Sequence, residues 1–351
     1  MDLHQCDRSE AGECGRCGLC LEKCPVYQVT LDETVSPRSK VQLSRYVAGS
    51  KLDLSNPLKE VFSKCLMCGT CTAGCPSSLR HDLLFMKLRS ALSNELGNSW
   101  PLRLIYHLLS DEQRLKLSAD IARLGRNKVL KGLFRDINIA NANLKQIPTL
   151  NERPFRNQVP ETNRHLGDYQ GTVLYFTGCA TNHLFESIGK SIVRVLTRMG
   201  FDVIVPKDQV CCALPIFIHG ETKKALPNIH KNIRLFNRDD ALAVVTDCAT
   251  CGSAFRTEYR HLLDSLGHPA DEAIALSKKV FDAAEFIFDH FSLIKPHLNT
   301  RAPEKTVTYH NPCHLRNAQG VQNKVEKLIS NLPNIIFRPT IDADSCCGGG
   351  G

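Results

Sequence analysis

Sixteen of the seventeen cysteines stand in groups whose spacing points to metal chemistry. Cys14, Cys17, Cys20 and Cys24 are followed by Pro25, and Cys65, Cys68, Cys71 and Cys75 by Pro76. Both runs read C-x2-C-x2-C-x3-C-P. Three thiolates at steps of three place their sulfurs around one concave loop, each facing a different iron of a [4Fe–4S] cubane. Gly15 and Gly18 are expected to help the first loop curl, and Gly69 and Gly74 the second. The closing proline turns the chain away. Where two such runs occur, the fourth cysteine serves the other cluster. That rule puts Cys14, Cys17, Cys20 and Cys75 on one cubane and Cys65, Cys68, Cys71 and Cys24 on the other. The rival chemistries fit less well. Zinc takes four ligands, commonly as two separated C-x2-C pairs, and disulfide staples serve small secreted domains. The polar start, Met1 to Glu10, lacks the apolar stretch of a signal peptide, so the thiols are expected in a reducing compartment. No C-x-x-C-H occurs, so attachment of a c-type haem is not indicated.

The other cysteines follow short apolar runs. Thr172 to Phe176 reads as a buried strand ending at Cys179, with a helix from Glu186 to Met199 stopped by Gly200. A second strand, Phe201 to Val205, leads to Cys211 and Cys212. A helix from about Glu221 to Asn237 leads to the strand Ala241 to Thr246, and Cys248 and Cys251 follow. This is an α/β unit with its cysteines on loops after strands, where parallel sheets carry their sites. The unit begins again: Thr306 to Tyr309 echoes Thr172 to Tyr175, Cys313 lies 134 residues after Cys179, and Cys346 lies 135 after Cys211. A matched offset over both landmarks indicates duplication. A second C-x-x-C is then expected roughly 135 residues after Cys248, beyond Gly351, so the second unit reads as truncated. A recurring C…CC…C-x-x-C set argues for metal binding over a strained vicinal disulfide.

These groups need elements to position them. The chain has 351 residues and is 42% hydrophobic, enough to bury a real core. The fold class expected is α+β and multidomain. An α-helical two-cluster domain over residues 1–98 leads to a helical segment and linker over 99–170. The first cysteine-rich α/β unit follows over 171–302 and the second over 303–351. Between Cys24 and Cys65 a helix is expected from Pro37 through Tyr46, where Arg38 and Lys40 either screen the anionic clusters or lie exposed. Leu102, Ile105, Leu108 and Leu109 recur at helical spacing, giving a helix from Trp100 to about Gly132. Arg135 to Gln170, rich in Asn, Pro and Arg, reads as a linker wrapping the surface. Of the histidines, His310 and His314 flank Cys313 and have the best claim to influence a cluster. Cys6 has no assigned role beyond an exposed thiol. The net charge of +8 is modest and no polybasic block concentrates it, so no nucleic-acid partner is expected. No run approaches the roughly 18 apolar residues of a membrane span. The expected location is cytoplasmic, or peripheral at the cytoplasmic face of the inner membrane through a partner.

Two ferredoxin-type runs followed by two cysteine-rich (CCG) units resemble the iron–sulfur subunit of glycolate oxidase and its lactate-oxidising relatives. Ser36-Pro37-Arg38 is similar to that family's S-P-R-G-R segment, with Ser39-Lys40 in place of G-R. Tyr309 to His314 is similar to the segment opening its second CCG domain. The architecture also resembles the anaerobic glycerol-3-phosphate dehydrogenase C subunit and heterodisulfide reductase subunits. The resemblance implies that Cys179, Cys211, Cys212, Cys248 and Cys251 hold a further, noncubane [4Fe–4S] cluster, with Cys313, Cys346 and Cys347 as the second unit's metal-binding counterparts. It also implies an electron-transfer subunit. An FAD-containing partner would oxidise a 2-hydroxy acid and pass electrons through the clusters to a quinone or another carrier. No G-x-G-x-x-G follows a strand, so the chain offers no flavin or nicotinamide site of its own, and no nucleophile–base signature assigns it a catalytic residue. The rival reading is a disulfide-reducing catalyst at the noncubane cluster. One departure is Ala213, where the family has the glycine of CCG. A methyl group there is tolerated unless the backbone has positive φ.

Overall fold

The computed structural model describes residues 14–125 and 150–349, with two short antiparallel strands between them, β1 (Asn138–Ile139) and β2 (Ala142–Asn143). Cys6 lies outside the described residues.

The N-terminal part is helical. Pro37–Ala48 begins where its pattern predicts: Pro37 takes the first turn and the Ser36 hydroxyl accepts the Ser39 N–H at 3.1 Å. This helix and Asn56–Ser63 pack against the longer His81–Leu96. Val41, Phe62, Leu84, Phe85 and Leu88 are sealed between them. The helix expected from Trp100 to Gly132 is two helices, Trp100–Leu109 and Glu112–Gly125. Asp111 starts the second by accepting the Arg114 N–H at 2.9 Å, a capping signal that the apolar periodicity hid. The stretch beyond residue 125 lies outside the described residues until the short strands.

The segment expected to wrap the surface does more than connect. Phe155 is fully buried with its ring 6.1 Å from that of Tyr175. Thr162–Asn163 forms β3, an antiparallel edge strand on β5. A single aromatic anchor in a proline-rich stretch leaves no periodicity to read.

The first α/β unit is a five-stranded sheet in the order β3-β5-β4-β6-β7, with β4 (Gly171–Phe176), β5 (Phe201–Ile204), β6 (Ala243–Thr246) and β7 (Val280–Asp282) all parallel. The strands are apolar on both faces because both are covered. Val173 and Tyr175 face one core with Phe201, Val203 and Phe286. Leu174 and Phe176 face another that runs without a break into the N-terminal helices. β7 was not anticipated, since three residues are too few to show alternation. The second unit repeats the opening of the first. β8 (Lys305–Val307), the helix Gln322–Ser330 and the parallel strand β9 (Ile335–Phe337) echo β4, Glu186–Arg198 and β5.

Candidate iron–sulfur centres

The two N-terminal loops share one backbone course. Arg16 and Met67, the residues before the second cysteine of each run, have φ of +57° and +51°, and Gly18 and Gly69, after it, have +84° and +71°. Each glycine heads the short helix that carries the third cysteine, Leu19–Glu22 in one loop and Thr70–Ala73 in the other. Gly15 and Gly74 do not adopt positive φ, so half of the expected glycine contribution is made by Arg16 and Met67 instead. Cys24 caps the helix Pro25–Thr30 by accepting the Tyr27 N–H at 3.5 Å, and Cys65 accepts that of Met67 at 3.5 Å.

The thiols gather across the two runs. Cys20 is pushed up to about 11 by burial and by Cys14, with Cys17 and Cys75 adding to it. Cys71 is raised well above the usual thiol range by burial, then by Cys65, Cys68 and Cys24. The fourth cysteine of each run therefore stands with the first three of the other. Cys24, Cys65, Cys68 and Cys71 ring a cavity closed below by Phe85, with about 470 Å³ of space not filled by protein atoms, its mouth included. Four thiols around one cavity, three of which raise Cys71, suit a body whose positive irons accept all four thiolates. Among the described residues no three His, Cys, Asp or Glu side chains form a ready single-ion site, whereas a cubane is gripped from farther apart.

In the first α/β unit every candidate cysteine sits at the carboxyl end of a parallel strand. Cys179 follows β4, Cys211 and Cys212 follow β5, and Cys248 and Cys251 bracket the turn after β6. β4 and β6 are the neighbours from which the chain departs in opposite directions, the crevice where such sheets bind ligands. The thiols act on one another in a chain from Cys179 through Cys211, Cys212 and Cys251 to Cys248. Thiol donation from Cys211 and then Cys251 pulls Cys212 down to about 6. Cys251, beside the lowered Cys212 and Cys248, is held well above the usual range, and so is Cys179, by its donation to Cys211 and by burial. Gly178 has a φ of +61°, and a Cβ there would lie 3.1 Å from the Cys251 sulfur. Ala213 has a φ of +64°, so the methyl sits on a strained backbone. Gly348, at the same place in the second unit, has +75°.

Three residues that fix the Cys211–Cys212 backbone escaped the sequence reading. Asn232 gives its side-chain amide to the Val210 and Cys211 carbonyls at 3.3 and 3.2 Å. Asn228 also reaches Cys211 at 3.3 Å, and the Tyr259 hydroxyl donates to the Cys212 carbonyl at 2.9 Å. Two asparagines four apart on the buried face of a helix were the available signal.

The second unit's cysteines are not gathered with the first unit's. Cys346 hydrogen-bonds Cys313 and, across the domain boundary, Cys68 of the N-terminal loop. Cys347 is exposed. Asn317 donates to the Cys68 carbonyl at 2.8 Å and to the Thr70 hydroxyl at 3.1 Å. His314 is buried between the Met67 carbonyl, 3.3 Å from Nε2, and the Thr250 hydroxyl, 3.1 Å from Nδ1. It thus touches the second cubane loop and the C-x-x-C turn of the first unit at once, while His310 is exposed.

The family profile of the cysteine-rich (CCG) domain matches residues 173–256 and 307–351, and that of the 4Fe–4S dicluster domain matches residues 10–79. Lactate utilization protein A of Bacillus pumilus (strain SAFR-032) is 33% identical over half of the chain and 71% of its own length. The chain belongs to the CCG-domain iron–sulfur protein family. It is similar along nearly its whole length to two further members. The probable glycolate oxidase iron–sulfur subunit of Bacillus subtilis (strain 168) is 27% identical over 98% of the chain and 80% of that relative. The glycolate oxidase iron–sulfur subunit of Escherichia coli (strain K12) is 26% identical over 96% of the chain and 79% of that relative. No solved structure matches. The matched profiles are those of iron–sulfur proteins, and among the described residues no helix is long and apolar enough to cross a membrane.

Proposed function

We propose that the chain is the electron-transfer subunit of a flavin-linked 2-hydroxyacid dehydrogenase complex acting on glycolate or lactate. An FAD-containing partner removes the electron pair from the acid, and the electrons leave singly toward a quinone or another carrier. When bound, two cubanes and a further cluster supply one-electron acceptors at stations that the protein spaces and tunes. Cys14, Cys17, Cys20 and Cys75 would hold one cubane, and Cys24, Cys65, Cys68 and Cys71 the other. Cys179, Cys211, Cys212, Cys248 and Cys251 would hold the third, noncubane cluster. Cys313, Cys346 and Cys347 form a lesser set beside the second cubane. The contact of the Cys65–Cys71 loop with both CCG units through His314, Asn317 and Cys346 carries this reading, because a relay needs its stations adjacent.

One feature favours a second reading, reduction of a disulfide at the first CCG unit. Its five cysteines are complete, whereas the second unit has three. Anaerobic mixing of the loaded chain, its flavoprotein partner and glycolate or lactate separates the two. Bleaching of the cluster absorbance by the acid supports the relay. Clusters that respond to neither acid, but that dithionite bleaches and a small-molecule disulfide then reoxidises by taking up two electrons, support the alternative.

A further inference from the structure

The two cubane loops differ in the company they keep. The first faces solvent: Cys17 and Lys23 are exposed, and Arg38 is half-buried. Lys23 lies over Gly74, and Arg38 reaches toward Gly18 while pairing with Glu33 at 3.0 Å. The second is enclosed and lined by an ammonium. Lys40 is 2% exposed and borders the same cavity as Cys24, Cys65, Cys68 and Cys71. Of the thiols it feels Cys65 and Cys24 most strongly. Its position follows from the helix Pro37–Ala48, where Lys40 and Val41 share the buried side with Ser44 and Val47.

A buried ammonium is costly unless paired. The acceptor that the structure gives Lys40 is the Val35 carbonyl, which leaves two of its three N–H donors for the cavity. Among the described residues no carboxylate pairs with it. Water screens the exposed Lys23, and Glu33 pairs with Arg38, whereas neither reaches Lys40. Lys40 is thus a lysine without a carboxylate, facing a site where a cubane with four thiolates places negative charge.

We propose that the Lys40 ammonium is the counter-charge of the second cubane and holds its potential above that of the solvent-facing one. An electron entering the pair then rests beside the CCG units. This rests on the assignment of Cys24, Cys65, Cys68 and Cys71 to one cubane. The electron balance is simple: one electron from a donor such as dithionite reduces one cubane, with no bond made or broken. A nearby positive charge stabilises the more negative reduced form.

The test is a redox titration of the anaerobically reconstituted full chain, followed by electron paramagnetic resonance, with iron and sulfide counted on the same samples. Lys40→Met should shift one cubane at least tenfold toward its oxidised form, about 59 mV for one electron, and leave the other in place. Lys40→Gln, which keeps a donor for Val35, should do the same if Lys40→Met assembles poorly. Lys40→Arg should restore most of the potential, and Arg38→Gln should move neither cubane. Unmoved or equally moved potentials in both charge-removing variants, with two cubanes present, would overturn the proposal. So would an equal shift in Arg38→Gln, or a wild-type titration in which the cubane that Lys40→Met moves is the lower in potential of the two. Wild-type protein with fewer than two cubanes would instead overturn the assignment beneath it.

Discussion

The two CCG units are copies with opposite surroundings. In the first, Cys211, Cys212 and Cys251 are at most 5% exposed, clamped by Asn228, Asn232 and Tyr259 beneath a five-stranded sheet. In the second, two described strands support a Cys346–Cys347 pair near the surface. The backbone at the motif is nonetheless the same, as the φ values of Ala213 and Gly348 show. The motif therefore sets local geometry, and burial sets what the thiols do. Burial lets the first unit's thiols act on one another, whereas in the second Cys346 answers to Cys313 and Cys68 and Cys347 lies in solvent. What the second unit contributes is contact: His314, Asn317 and Cys346 seat it on the second cubane loop.

The largest break in this comparison should come from Cys212→Ser against Cys347→Ser. The first should remove the noncubane cluster and its iron, and the second should leave the iron count near wild type. Metal analysis with electron paramagnetic resonance decides it, and equal losses would erase the distinction. Next are the two ties to the N-terminal helices. Arg89 is 5% exposed and donates to the Phe62 and Ile218 carbonyls at 2.7 and 2.9 Å, joining that domain to the first unit. Arg89→Met strands several buried carbonyls and should cost roughly 3 kcal/mol or more. Asn317→Ala releases the second unit and should cost about 1 kcal/mol. Urea unfolding of the loaded protein compares them.

A smaller effect lies in the crevice where the N-terminal domain and both units meet, lined by Arg80, Asp82, Glu258, His314 and Asn317. Burial, then the Asp82 carboxylate, pushes Glu258 up to about 7 from an ordinary value of 4.5. The folded state thus holds this proton more tightly than the unfolded chain. The associated stability is present at low pH and lost as pH rises from 4.5 through about 7. Glu258→Gln should therefore raise the Tm above wild type on the alkaline side of neutrality and change it little near pH 5. A Tm gap that does not vary with pH would contradict this. The smallest effect is expected from Ala213→Gly. Relief of left-handed strain, about 1 kcal/mol, is offset by loss of a buried methyl, about 0.8 kcal/mol. The Tm should barely move, whereas Gly348→Ala adds strain with no buried methyl and should lower it.

Much of this arrangement was legible in the cysteines. Their steps of three gave the loops, and an offset of 134 to 135 residues gave the repeat. The condition attached to Ala213 was legible too, since only positive φ makes its methyl matter. What could not be read was held by single contacts with no period. Phe155 anchors a proline-rich stretch, β7 is three residues long, and the Met67–His314 and Cys68–Asn317 contacts join positions nearly 250 apart in the chain. Lys40 shows the same limit. Helical periodicity left it either exposed or screening a cluster, and only packing decided that it is buried.

In the proposed relay, electrons cross from the partner's flavin to the CCG units by way of the second cubane loop. Rapid mixing of glycolate or lactate with the assembled flavoprotein complex carrying Cys71→Ser tests it most directly. The flavin should be reduced at the wild-type rate, while the signal of the first CCG unit's cluster fails to follow. Normal reduction of that cluster in the variant, or loss of flavin reduction itself, would contradict the relay.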